Sequence, residues 1–310
     1  MLLDVAGLTH IGRKKDTNED SLGIYGEDSP GLNLFKQGAL LTVADGLGGH
    51  TGGGIASKLA VSIIKDLVKE EPPEPDSPNV DVVLDAARLG YLPKLRAAME
   101  RANASIYQTN CDLVQSGRPM GTTLLTVLVE PRMAWVGNVG DSRAYLVRDG
   151  VILTRTSDHS WVDEQVTLGL MTRDEAENDK RKNLVTRSVG THPETEVDTY
   201  RWPLSQGDVL LLCSDGLVNM VRDADIAAEL ARPATAKEMA ARLIDLALAK
   251  GGRDNVTVIV AVVDPNPWRH SWLQFRARMR EKNISTARVV GWIIFGVLCF
   301  AAGLGIALSR

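Results

Sequence analysis

The chain has 310 residues, 44% of them hydrophobic, and a formal net charge of -4. That composition suits one large domain or two small ones with a sizeable core, and a mildly acidic balance speaks against nucleic-acid binding, which shows as a basic stripe. Cys111, Cys213 and Cys299 lie far apart, fit neither a zinc spacing nor a disulfide framework, and indicate a reducing compartment.

The N-terminal run MLLDVAGLTH meets Asp4 too soon for a secretory leader. Short apolar runs then predict strands at Ala39–Ala44, Leu124–Val129, Met133–Val139, Ala144–Arg148, Val209–Ser214 and Val256–Val263. Amphipathic stretches between them predict helices. Ile55–Lys69 places Ile55, Leu59, Ile63 and Leu67 on one face, Val82–Tyr107 is a longer helix that Pro93 would bend, and Ala236–Lys250 repeats the pattern with Met239, Leu243, Leu246 and Leu248. Glu70–Asn79, EEPPEPDSPN, is an acidic, proline-rich loop joining the first two helices. Asp163–Lys182 is helical but polar, which suits a flap outside the core. Strands and helices each come in pairs without regular βα alternation, so the fold class is a layered α+β domain ending near Asp264, before Pro265 and Pro267.

Several apolar runs end on carboxylates. LLTVADGLGGH stops at Asp45 and turns through glycine, VLLLCSDGL stops at Asp215, and GGRDNVTVIVAVV opens just after Asp254, while NEDS supplies Glu19 and Asp20 together. A buried carboxylate needs a partner, and like charges at one sheet edge raise each other's pKa unless cations neutralise them. No histidine or cysteine set competes for that role, so hard divalent ions with oxygen ligands are the natural partners, and Gly46 lets its backbone carbonyl join them. A Walker phosphate loop is excluded, since Ile55 and Ala56 follow Gly54 where lysine and serine or threonine are required.

The ordered set NED, VADGLGGH, MGTTL, GNVGDSRAYL, SDHS, SDGL and GGRDNVTV resembles the metal-dependent PP2C (PPM) protein phosphatases in their bacterial form, from about Gly7 to Asp264. The resemblance implies a central antiparallel β-sandwich with helices on both faces, and two Mn2+ or Mg2+ ions at one end. It also implies that water between the ions attacks phosphoserine or phosphothreonine without a phospho-enzyme. By position, Asp45 matches a carboxylate bridging both ions, Gly46 a carbonyl ligand, and Asp215 and Asp254 ligands of the other ion. Asp20, with Glu19, matches the acidic pair that orients water on the ions. Asn255 could hold the Asp254 loop, Asp141 organises its loop with Arg143, and the hydroxyls of Thr122 and Thr123 support the strand. His50 is the candidate for protonating the leaving oxygen or ordering a water, and His159 fixes the flap junction.

Two positions depart from the pattern. Lys15 stands where the family carries a phosphate-binding arginine, so Lys15, or Arg13 in its place, is the candidate phosphate clamp. Arg118 stands where bacterial members often carry an acidic ligand for a third ion, so that site is expected to be missing or altered.

Beyond the phosphatase domain at 1–264, residues 265–288 form a basic linker with Arg269, Arg276, Arg278, Arg280, Lys282 and Arg288, and Val289–Leu308 is an uncharged span long enough for a transmembrane helix. The expectation is a single-pass enzyme on the cytoplasmic face of the inner membrane, opposing a serine/threonine kinase and acting on phosphoproteins. The alternative is a catalytically weak phosphoprotein-binding module at the membrane.

Overall fold

The computed structural model describes residues 2–26, 38–48, 51–68, 90–113 and 119–264. His50, Arg118, the Glu70–Asn79 loop, the first part of the Val82–Tyr107 helix, and both the basic linker and the expected membrane span lie outside the described residues. Among the described residues no helix is long and apolar enough to cross a membrane.

Two five-stranded antiparallel sheets form the centre. One contains β1 (Leu3–His10), β8 (Arg143–Arg148), β9 (Val151–Arg155), β11 (Val209–Cys213) and β12 (Val256–Val263), in the order β1-β12-β11-β8-β9. The other contains β2 (Ser21–Gly26), β3 (Ala39–Ala44), β6 (Leu124–Glu130), β7 (Met133–Val139) and β10 (Asp198–Pro203), in the order β10-β7-β6-β3-β2. A two-stranded ribbon pairs β4 (Gly46–Leu47) with β5 (Gly121–Thr122).

The apolar density of β3 follows from its place between layers. Leu40 and Ala44 point to the helices α1 (Thr51–Val68) and α2 (Leu92–Leu113), where they meet Ala56, Ala60, Ile64, Leu95 and Met99. Leu41 and Val43 point the other way, into the seam between the sheets, against Leu210, Leu212, Ile259 and Ala261. A strand buried on both faces cannot alternate apolar with polar, which is why it reads as one hydrophobic run. Leu40 and Leu41 are both fully buried, each worth about 2 kcal/mol of transfer free energy. A third cluster packs the outer face of the first sheet against α5 (Asp215–Val218), α6 (Asp223–Ala231) and α7 (Ala236–Ala249), giving helix, sheet, sheet and helix layers.

Two helical expectations change at their starts and a third holds. The helix predicted from Ile55 begins at Thr51, taking three glycines into its first turn, because that turn must lie against the chain at Gly46 and Glu19. Helix α2 begins at Leu92, so Pro93 sits in its first turn, where a missing N–H costs no internal hydrogen bond; the proline starts the described helix and does not bend it. Helix α7 starts as predicted, because Thr235 and Glu238 form a reciprocal capping box. The flap carries α3 (Trp161–Thr167) and α4 (Arg173–Asn178); it buries Val162 and Ala176 and leaves Leu168 and Leu170 exposed.

Candidate metal centre

Antiparallel pairing collects the carboxylates at one end of the sandwich. Ser21 at the start of β2 pairs with Ala44 at the end of β3, so Asp20 and Asp45, each one residue beyond, become neighbours. In the other sheet Cys213, ending β11, pairs with Val258 near the start of β12, which brings Asp215 and Asp254 to the same end. Asp20 joins the two sheets: its Oδ2 accepts from Ser214 Oγ at 2.8 Å and from Thr257 Oγ1 at 2.7 Å.

The turn after Asp45 is held by backbone and hydroxyl groups. Thr122 Oγ1 and Thr123 N–H both donate to the Asp45 carbonyl, at 2.9 and 2.8 Å, and Thr123 Oγ1 accepts the Asp45 N–H at 2.9 Å. Next to it, a β-carbon on Gly46 would run into the Gly53 carbonyl and lie 2.7 Å from the Glu19 carbonyl. Only glycine permits that approach of three backbone segments, which leaves the Gly46 backbone packed between the Glu19 stretch and the first turn of α1.

Burial sets the electrostatics. Asp45 and Asp215 keep some exposed surface, yet protein encloses their carboxylates closely enough for desolvation to dominate. Desolvation, with the charges of Asp20, Asp215 and Asp141, holds the Asp45 carboxyl well above the usual carboxylate range. Burial raises Asp20 to about 6, and burial with the charges of Asp254 and Asp20 raises Asp215 to about 6. Asp141 is also raised well above its ordinary value, by burial and then by Asp215 and Asp158. Sequence reasoning missed Asp141 as a member of this group, since GDSR reads as a turn.

The expected pairing of Asp141 with Arg143 is corrected. Arg143 forks onto Asp158, with Nε to Oδ1 at 2.8 Å and Nη2 to Oδ2 at 2.6 Å, and adds Tyr145 Oη at 3.1 Å. That two-point contact matches the planar guanidinium, so Arg143 is engaged by Asp158 and not by Asp141. His159 does sit at the flap junction: its Nδ1 accepts the Gly140 N–H at 3.1 Å and its Nε2 lies 3.2 Å from Asp198 Oδ2. Asn255 holds three points of the loop between β1 and β2, donating to the carbonyls of Ile11 and Thr17 at 2.8 and 2.9 Å and accepting the Glu19 N–H at 2.9 Å.

Lys15 reaches the cluster, with its Nζ 2.7 Å from Asp254 Oδ1. Desolvation lowers its pKa, but pairing with Asp254 and the charges of Asp45 and Glu19 outweigh that and leave it raised. Arg13 is engaged elsewhere, its Nε donating to the Leu248 carbonyl at the end of α7 at 3.0 Å.

The donor set fits hard divalent ions. Glu19 Oε1, Asp20 Oδ1 and Asp215 Oδ1 are buried without a hydrogen-bond partner, although such oxygens normally find one. Among the described residues no three His, Cys, Asp or Glu side chains are arranged to hold a metal ion by themselves. An ion of the magnesium type tolerates this, because it keeps several waters and takes few carboxylates.

The Protein phosphatase 2C family profile matches residues 12–247. The chain belongs to the protein phosphatase 2C family. It is 35% identical to the serine/threonine phosphatase Stp of Listeria monocytogenes over 259 residues, covering 83% of this chain and 94% of that one. It is also 35% identical to the Mycobacterium tuberculosis phosphatase PstP over 265 residues, which is 85% of this chain and 46% of that longer protein. The crystal structure of the PstP catalytic domain in complex with two manganese ions superposes with a TM-score of 0.67 at 35% identity, over 84% of this chain and 99% of that one. The Streptococcus agalactiae serine/threonine phosphatase structure superposes with a TM-score of 0.70 at 32% identity, over 84% and 100%. The chain therefore has a PP2C fold and is a serine/threonine protein phosphatase, a class whose substrates are phosphoproteins.

Proposed function

We propose that this phosphatase hydrolyses phosphoserine and phosphothreonine with two Mn2+ or Mg2+ ions held by Asp45, the Gly46 carbonyl, Asp215 and Asp254. One observation carries the reading: carboxylates from both sheets converge at one end of the sandwich, with buried oxygens of Asp20 and Asp215 left without partners. When bound, the ions supply an acidified water and neutralise charge on the phosphoryl oxygens.

The chain's own groups do the rest. Asp45 comes from one sheet while Asp215 and Asp254 come from the other, so the ligands are fixed by the sandwich itself and need little reorganisation. Ser214 and Thr257 pin one oxygen of Asp20 and leave Oδ1 to orient a water. Lys15 supplies positive charge for the substrate phosphate, and His50 protonates the leaving serine or threonine oxygen. The uncharged span Val289–Leu308 and its basic approach support a place at the cytoplasmic face of a membrane, where the enzyme would oppose a serine/threonine kinase.

The test is hydrolysis of a phosphothreonine peptide by the full-length protein. Release of phosphate is expected with Mn2+ or Mg2+ and none in excess EDTA; undiminished release in EDTA would remove the ions from the mechanism.

A further inference from the structure

Lys15 is a cation built into a site that must attract cations. Its Nζ lies 2.7 Å from Asp254 Oδ1, and that oxygen also accepts the Asn255 N–H at 2.8 Å. The ammonium interacts favourably with Asp45 and Glu19 as well, and its charge offsets a small part of the rise at Asp215. No other lysine or arginine among the described residues makes an ion pair with Asp20, Asp45, Asp215 or Asp254.

We propose that Lys15 competes with a divalent ion for Asp254 and so sets how tightly the site holds that ion. The inference rests on Asp254 being an ion ligand, as in the reading above. A divalent ion and an ammonium cannot both draw fully on one carboxylate oxygen, and wherever the ion approaches Asp254 it meets the repulsion of a positive charge a hydrogen bond away. Binding the ion therefore includes displacing Lys15.

The geometry also bounds the effect. The Lys15 and Asp254 side chains are 43% and 39% exposed, so solvent screens the pair. Exposed pairs of this kind correspond to about a two- to five-fold change in an equilibrium constant. The residue acts as a modulator of affinity, not a barrier to binding. Lysine suits that role, since a single mobile ammonium on a flexible stem leaves a carboxylate more readily than a guanidinium forked across both oxygens.

The experiment measures Mn2+ binding, not activity. Full-length wild type, Lys15→Met and Lys15→Arg would be titrated with Mn2+ by calorimetry, with free ion followed by electron paramagnetic resonance. Lys15→Met keeps the length and loses the charge, and at a half-exposed position it should leave the melting temperature close to wild type. It is expected to bind one of its ions about two- to five-fold more tightly than wild type. Lys15→Arg retains the charge and should bind no more tightly than wild type. Equal Mn2+ affinity in wild type and Lys15→Met would overturn the proposal, as would weaker binding by Lys15→Met. Asp45→Asn separates this failure from failure of the underlying reading. If it loses Mn2+ binding while Lys15→Met matches wild type, only the competition is wrong; if it binds Mn2+ like wild type, the site assignment itself is wrong.

Discussion

Thr123 braces Asp45 at two points, donating its N–H to the Asp45 carbonyl at 2.8 Å and accepting the Asp45 N–H on Oγ1 at 2.9 Å. The same hydroxyl meets Ser142 Oγ at 2.8 Å, linking the loop after β7 to the turn that carries the carboxylate. Thr123→Val keeps the shape and removes that acceptor, leaving the Asp45 N–H without its partner. A loss of about 1–3 kcal/mol is expected, from the cost of an unsatisfied buried group. Urea denaturation would measure it, and Mn2+ affinity should fall in the same variant because the Asp45 backbone is less constrained.

Asp45→Asn should separate stability from activity. It removes one of several charges that repel across the cluster, so the EDTA-treated variant should melt above EDTA-treated wild type at pH 7.5. Phosphopeptide hydrolysis should drop to background, since a neutral amide is a poor ligand for a hard ion. A variant that hydrolyses like wild type would remove Asp45 from the mechanism.

The pH dependence follows in sign from the raised carboxyls. Burial and neighbouring carboxylates raise Asp20 and Asp215 to about 6 in the fold, against an ordinary carboxyl value of 3.8 in an unfolded chain. The metal-free fold thus holds protons that the unfolded chain releases, and this contribution is full below 3.8 and lost as pH rises through 6. A rise of that size corresponds to about 3 kcal/mol for either group taken alone. Thermal melts in EDTA and in Mn2+ should therefore diverge between pH 5 and about 7.5, with the ion-loaded protein gaining. A constant difference across that range would contradict the prediction.

Asn255→Ala should loosen the segment carrying Lys15 and Glu19. One side chain satisfies two carbonyls and one N–H, all in the β1–β2 loop 236 to 244 positions away. Losing it should cost about 2–4 kcal/mol, since several polar groups lose partners together. Asn255→Asp, which keeps the acceptor and loses both donors, should be intermediate for the Glu19 contact but add a charge beside Asp254. Denaturation midpoints of the two variants check the order.

Fractionation tests the tail. Full-length protein is expected in the membrane fraction after carbonate or high-salt washing, and protein ending at Asp264 in the soluble fraction. Release of the full-length chain by carbonate would place it on the membrane surface, and cleavage of the phosphatase domain by protease added outside intact cells would reverse its orientation.

The strands that can be read in the sequence and those that cannot divide by position in the sheets. The strands β3, β6, β7, β8, β11 and β12 are each flanked on both sides, and their nearly continuous apolar runs are visible. The four longer strands that escaped reading, β1, β2, β9 and β10, are the four sheet edges. An edge strand covers less core: SLGIYG carries two glycines, and Val151 and Leu153 of β9 are exposed. The residue pattern therefore loses contrast where pairing stops. The candidate site divides similarly. Asp45, Asp215 and Asp254 mark strand boundaries and can be found locally. Asp141 in its turn and the contact of Lys15 with Asp254 depend on loops brought together from opposite ends of the domain, which no local pattern encodes.

That closure of the chain on itself has a consequence for how the enzyme is made. The first strand pairs along its whole length with the last, Leu3 opposite Val263 and His10 opposite Val256. A ribosome delivers Leu3–His10 well before its neighbour exists, so one sheet stays open until synthesis reaches Val263. Long-range pairing of this kind is slow and leaves an unpaired edge exposed meanwhile. Thr257, which holds Asp20, arrives on that same last strand. A nascent chain stalled before it therefore lacks a finished acidic pocket, so catalytic competence and completion of the fold come in one step, once the strand ending at Val263 has been made.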